Sequence, residues 1–251
     1  MLEDFDFPKL PPRYDVALRS AVSFVLDSFT PVGIIASGTI VRGNPDPTSD
    51  IDLWVIHLAS VRQRIQKFFN NVPVEIFVNP PWTIQNYFVD DQANARPITA
   101  HMIATGHVIL ATDPVVAELC EKAKWLLTQP PNVSEDAIVR ARYTAATRFE
   151  DATDIATRNP IGAGMMLSQS LVEMMRFAFL QAGRFVPREK DLLDQFSLLN
   201  NDAAAKVRAF FQTADGDERI RLATDIADKI LGTRGFFEWT SVLEVKEKPV
   251  D

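Results

Sequence analysis

The sequence is poor in the residues that build covalent or metal scaffolds: its 251 residues include one cysteine, Cys120, and three histidines. A single thiol forms neither an internal disulfide nor a cysteine-based zinc cluster, so a reducing compartment, the cytoplasm, is the expected location. His57, His101 and His107 share no ligand spacing and are not read as catalytic; His57, at a predicted strand end, is the one to test. Positive charge is short as well, with 26 Lys and Arg against 33 Asp and Glu and a net charge of −7. No broad basic surface is expected to follow a phosphate backbone, which argues against long nucleic acid as a partner. Apolar runs stop well below the roughly 20 residues of a membrane span, so no membrane partner is expected. The opening M-L-E-D-F-D-F-P-K is acidic and lacks an apolar core, and is not expected to act as a signal peptide. Repeats and low-complexity tracts are missing too.

What is present is an ordinary globular mixture, 47% hydrophobic and 24% charged, enough to bury a sizeable core. The pattern predicts an α+β chain of two domains: a small mixed sheet flanked by helices over residues 1–115, then an all-α bundle over 116–251. Pro8, Pro11 and Pro12 mark an extended arm. Leu18, Val22, Val25 and Phe29 form one stripe of a helix from Asp15 to Phe29. Strands are predicted at Val32–Ala36, Asp50–His57, Val72–Val78 and His107–Ala111, with helices at Val61–Asn70, Trp82–Val89 and Pro97–Ala104 between them. Past Asp113-Pro114 only helical signals remain. They predict helices from Ser134 as N-cap to about Ile155, from Gly164 to Ala182 with Gly183 at C′, and then Arg188–Leu199, Ala203–Thr213 and Asp217–Leu231, with a loose tail from Lys246. Met165, Met166, Met174 and Met175 read as core.

The chain is organised around Ala36 to Trp54, A-S-G-T-I-V-R-G-N-P-D-P-T-S-D-I-D-L-W. Gly38-Thr39 breaks a short apolar strand where a short helix through Arg42 is expected to begin, leaving backbone N–H groups free to meet phosphate. Gly43 to Ser49 reads as a surface loop delivering Ser49 and Asp50. Asp50 and Asp52 lie two residues apart on a strand, so both carboxylates face the same way with Cα atoms about 6–7 Å apart, while Ile51 and Leu53 turn to the core. Carboxylates so placed can straddle divalent ions. An aspartate inside an apolar strand costs stability unless a cation or partner compensates, which favours a site over a solvated strand end.

G-T, ten residues, then D-I-D, with Arg42-Gly43 and Ser49 between, resembles the signature of the polymerase-β-type nucleotidyltransferase superfamily. The added helical domain resembles the kanamycin nucleotidyltransferase-like group within it. The resemblance implies that Gly38 and Thr39 hold a triphosphate, with Arg42 and Ser49 nearby, and that Asp50 and Asp52 bind Mg²⁺. A third carboxylate is expected from the next strand, and Glu75 stands there where aspartate is usual. It further implies two Mg²⁺ ions as cofactors, with ATP or another nucleoside triphosphate as substrate. In Gly183–Leu193 the resemblance places Lys190 within reach of nucleotide phosphates. Arg42 is equally read as facing solvent, and Arg62, Arg64 and Lys67 as a solvated helix face. Glu173 is a candidate general base, or else an exposed helix glutamate.

The expected activity is Mg²⁺-dependent transfer of a nucleoside monophosphate to a hydroxyl of a small molecule or a protein, with release of pyrophosphate. A compact cationic acceptor such as an aminoglycoside is the first expectation. The alternative is a nucleotide-binding regulatory or antitoxin-type protein that acts through a partner.

Overall fold

The structure, a computed structural model, describes residues 5–43 and 49–243. It separates into two compact units, 1–92 with 97–130 and 93–96 with 131–251. The break in the chain thus comes after Pro130, not at 115. The reason is a helix the sequence reading left undefined: α4 (Pro114–Leu127), opened by Asp113, whose side chain accepts a bond from the Val115 amide, buries Val116, Leu119, Cys120, Ala123 and Leu126 in the first unit.

The first unit is a mixed five-stranded sheet. Its strands are β1 (Gly33–Ser37), β2 (Ile51–Ile56), β3 (Gln63–Phe69), β4 (Val72–Asn79) and β5 (His107–Ala111), in the spatial order β3-β4-β2-β1-β5. β2 and β4 run parallel and every other pair is antiparallel. Alternation along the strands feeds two cores. Ile34, Ala36, Ile51, Leu53, Val55, Val74 and Ile76 pack against α1 (Pro12–Ser28), which contributes Leu18, Val22 and Val25. Burying each of the Val, Leu and Ile side chains is worth about 1.5–3 kcal/mol. On the opposite face Ile35, Trp54 and Ile56 meet α2 (Pro81–Ala93), α3 (Ile98–Ala104) and α4.

One element differs in kind from expectation. Residues 61–70, predicted as a helix, contain β3. Asn70 and Asn71 both have positive φ, +47° and +60°, and turn the chain directly into β4. Such φ values suit a two-residue hairpin turn, which asparagine tolerates better than other residues. The apparent helical spacing of Val61, Ile65 and Phe68 is coincidental, since Phe68 is 73% and Val61 60% exposed. β3 is an edge strand whose charges, Arg64 and Lys67, discourage pairing with other chains.

The second unit is helical: α5 (Glu135–Ile155), α6 (Pro160–Gln181), α7 (Leu192–Leu199), α8 (Asn201–Gln212) and α9 (Gly216–Ile230). Side chains cap four of the five, with Ser134, Asn159, Asn200 and Asp215 each accepting from an amide of the first turn. Gly183 follows α6 at φ +63°, a left-handed C′ conformation that glycine adopts without strain. Phe149, Leu171, Met174, Phe196, Phe210 and Ile226 lie in the core. Ser170, fully buried, donates to the Ala145 carbonyl and ties α6 to α5. Met165, expected in the core, is 64% exposed. The tail from residue 244 lies outside the described residues, as does most of the predicted loop, 44–48. Among the described residues no helix is long and apolar enough to cross a membrane.

Candidate active site

Register lays the polar residues out in rows across one sheet face. Ser37 pairs with Asp52, Asp52 with Glu75, and Glu75 with Gln66, so one row crosses β1, β2, β4 and β3. Directly paired residues share a face, and the Asp52 and Glu75 side chains are therefore neighbours. The next row along the strands is Ile35, Trp54, Phe77 and Arg64. Trp54 stacks on Phe77 with centroids 4.9 Å apart, and the Arg64 guanidinium lies 5.1 Å from the Phe77 centroid.

The turn after β1 is held against the first row. Gly38 has φ +102°, and a Cβ there would lie 3.2 Å from Asp52 Oδ2 and 3.3 Å from the Asp50 carbonyl oxygen. Only glycine allows the backbone this approach without strain. The expected short helix through Arg42 is instead a single turn, in which the Arg42 amide donates to the Gly38 carbonyl and the Gly43 amide to Ile40. Buried Ile40 anchors it. The Thr39 and Ser49 hydroxyls lie 2.9 Å apart, closing the neck of the connection that leads to Asp50.

The Asp52 carboxyl is pushed up to about 7, first by burial and then by the charges of Asp50 and Glu75, against the opposing pull of Arg42 and Arg64. Glu75 is engaged from the edge strand. It accepts from Arg64 Nη2 at 2.6 Å and from the Gln66 amide. As the side chains stand, no three His, Cys, Asp or Glu among the described residues are grouped closely enough to hold a metal ion. In donor chemistry Asp50, Asp52 and Glu75 would still suit a hard cation, because all three offer carboxylate oxygens and Asp52 is desolvated beside like charges.

Asp50, Asp52, Trp54, Arg64, Glu75 and Phe77 border a cleft of about 480 Å³ in the first unit. Its other wall is Tyr87 of α2 with Ile98, Thr99 and Met102 of α3. The two helices are joined by Asp91, 8% exposed, whose carboxylate accepts from the Ala100 amide at 2.9 Å. Burial pushes the Asp91 carboxyl up to about 6 although backbone N–H groups of Ala100, Thr99 and Ile98 oppose the shift.

The structure thus brings together Gly38, Thr39, Ser49, Asp50, Asp52 and Glu75, with exposed Arg42 near enough to act on Asp52. Lys190 belongs to the second unit, exposed in a short 3₁₀ turn, Glu189–Asp191. Glu173 is neither free nor exposed: it is paired with Arg176 at 3.0 Å and Arg148 at 3.6 Å. His57 is buried at 4% exposure at the end of β2. Sequence reasoning missed Ser37, Arg64, Gln66, Phe77 and Tyr87. The Asn-Asn turn between two apolar runs was the signal that would have revealed β3 and, with it, Arg64 and Gln66.

No family model matches the chain, and no curated protein matches it. Among solved structures it is similar to a nucleotidyltransferase-like protein from Exiguobacterium sibiricum 255-15, with a TM-score of 0.55 at 18% identity. The match covers 86% of this chain and 73% of that one. At this identity the likeness concerns the fold, and the fold, a mixed five-stranded sheet flanked by helices with a helical region after it, is nucleotidyltransferase-like.

Proposed function

We propose that the protein is a nucleotidyltransferase of the polymerase-β type, moving a nucleoside monophosphate from ATP or another nucleoside triphosphate to a hydroxyl. The observation that carries the reading is the approach of the Gly38 backbone to the Asp52 carboxylate, itself in register with Glu75. A phosphate-binding turn and a carboxylate row are thereby joined at one point. Gly38 and Thr39 orient the β- and γ-phosphates, with Ser49 fixing the turn and Arg42 supplying positive charge from its rim. Asp50 and Asp52 would hold Mg²⁺, and Glu75 would join them on leaving Arg64. Bound there, the cation would neutralise charge on the phosphates and lower the pKa of the acceptor hydroxyl. As the acceptor oxygen bonds to the α-phosphorus, the α–β anhydride bond breaks. Pyrophosphate leaves with the electron pair and the hydroxyl proton passes to solvent. Positioning and charge neutralisation supply most of the acceleration.

One observation favours a second reading, a nucleotide-binding regulatory protein without turnover: the third carboxylate is already occupied by Arg64 and Gln66. Titration calorimetry with a non-hydrolysable ATP analogue, with Mg²⁺ and with EDTA, tests the site. Mg²⁺-dependent binding is expected in the wild type and lost in Asp50→Asn and Asp52→Asn, with circular dichroism unchanged. Undiminished binding in either variant would sink the carboxylate assignment. Absence of binding for ATP, GTP, CTP and UTP analogues alike would sink the nucleotide site.

A further inference from the structure

The cleft does not end at the carboxylates. Beyond them it is floored by Trp54 and Phe77, and walled by Tyr87 and the apolar side chains of α3. Tyr87 meets Trp54 edge-on at 6.4 Å and donates its hydroxyl to Asn79 Oδ1 at 3.4 Å. Phe77 and Tyr87 are half-buried, so aromatic surface is open to the cleft. Trp54, another lining residue, is 3% exposed, and its indole N–H is buried with no acceptor among the described residues. An unpaired buried donor of this kind is destabilising, and an oxygen-bearing ligand would relieve it. Charge at this end differs from charge at the other. Arg62 lies 5.8 Å from the Tyr87 centroid at the rim, and among the described residues it makes no ion pair. The Arg64 charge is matched by Glu75.

We infer that this half of the cleft is the acceptor subsite and takes a planar aromatic molecule that carries a hydroxyl and an anionic group. The inference rests on the proposed transferase reading, which puts the triphosphate at Gly38-Thr39 beside β1. The reacting hydroxyl then lies near Glu75 on β4, and the ring of the acceptor lies against Phe77 and Tyr87. Trp54 Nε1–H donates to a ligand oxygen, and the anionic group meets Arg62. A volume of about 480 Å³ suits a small ligand. The sign of charge is opposite to that of the cationic acceptor expected from the acidic composition, because Arg62 stands at this end of the cleft with Arg64 already matched by Glu75, while Asp50 and Asp52 lie at the other end.

The test uses four probes on the full chain: 4-(hydroxymethyl)benzoate, benzyl alcohol, 4-(hydroxymethyl)benzylamine and glycolate. Affinities are read by saturation-transfer NMR, with and without the Mg²⁺-bound ATP analogue. The benzoate is expected to bind at least tenfold more tightly than the other three and to bind together with the analogue. Arg62→Ala, at an exposed position, should weaken the benzoate about tenfold with little effect on benzyl alcohol, and Trp54→Phe should weaken both. Equal or tighter binding of the amine, no preference over glycolate, or an unchanged Arg62→Ala variant overturns the assignment. So does mutual exclusion of benzoate and analogue, which would give the aromatic wall to the nucleobase. Loss of the analogue alone, with benzoate binding intact, would instead count against the nucleotidyltransferase reading.

Discussion

Asp91 makes the stability of the first unit depend on pH in a calculable direction. The carboxyl ionises at about 6 in the folded chain against an ordinary value of 3.8. A carboxyl raised on folding favours the folded state most below its unfolded value, and that contribution is lost as pH climbs through the folded one. The window is therefore 3.8 to about 6, and across it the group withdraws about 3 kcal/mol. Roughly 2 kcal/mol of this falls between pH 4.5 and 7.5. Asp91→Asn keeps an oxygen to accept from the Ala100 amide and stays neutral throughout. Three of the four tryptophans, Trp54, Trp82 and Trp125, lie in the first unit, so urea unfolding followed by tryptophan fluorescence reports on it. Relative to wild type, the variant should gain about 2 kcal/mol between pH 4.5 and 7.5, a midpoint shift of roughly 0.7–1 M urea. The raised Asp52 carboxyl adds a slope of the same sign, but it is present in both proteins and cancels in the difference. Parallel pH profiles for the two proteins would refute the claim that Asp91 is desolvated where it joins α2 to α3. Asp91→Ala, which also removes the acceptor, should be less stable than Asp91→Asn by about 1–3 kcal/mol at both pH values.

Gly38→Ala forces a Cβ into a left-handed backbone at φ +102°, 3.2 Å from Asp52 Oδ2. It should lower stability by about 1–2 kcal/mol and weaken binding of the ATP analogue, read by thermal melting and calorimetry on the same sample. In the second unit Phe196 is fully buried. Phe196→Ala should cost about 3–5 kcal/mol, seen as an earlier loss of helical circular dichroism in urea, and a loss below 1 kcal/mol would mean the α7 contact is loosely packed.

Much of this architecture was legible because local signals agreed with one another. The Leu18, Val22 and Val25 stripe, the Ser134 cap and Gly183 each carry their own physical reason, and the structure has helix, cap and C′ residue there. The spacing of Gly38, Asp50 and Asp52 was legible because a turn and a strand bring them together within one short stretch. The neighbours of Glu75 were not. Register between β2, β4 and β3 depends on hairpin and crossover geometry, which local periodicity does not encode. A β3 read as a helix placed Arg64 on a solvated face, whereas pairing of Arg64 with Phe77 and Gln66 with Glu75 turns both side chains onto the site. The limit of the first unit was hidden for a similar reason. The α4 stretch carries only helical signals, without bounds of its own, and only packing assigns it to the sheet.

The engagement of Glu75 bears on whether the carboxylate row can act, and magnitudes decide it. Arg64 is 57% exposed in its pair with Glu75. A pair with one partner this open to water, the other being 20% exposed, is worth on the order of 1 kcal/mol net, because solvent screens the attraction and takes up Arg64 on separation. Arg64 would also keep its contact with the Phe77 ring, 5.1 Å away, after letting go. The opposing term is larger: Asp52 is half-buried beside two like charges, and each unit by which its carboxyl is raised represents about 1.4 kcal/mol that a cation among the carboxylates would offset. The edge strand therefore holds Glu75 weakly, while the desolvation of Asp52 favours recruiting it to a shared cation. On these magnitudes the pair between Arg64 and Glu75 is no bar to the cation site proposed for the carboxylate row.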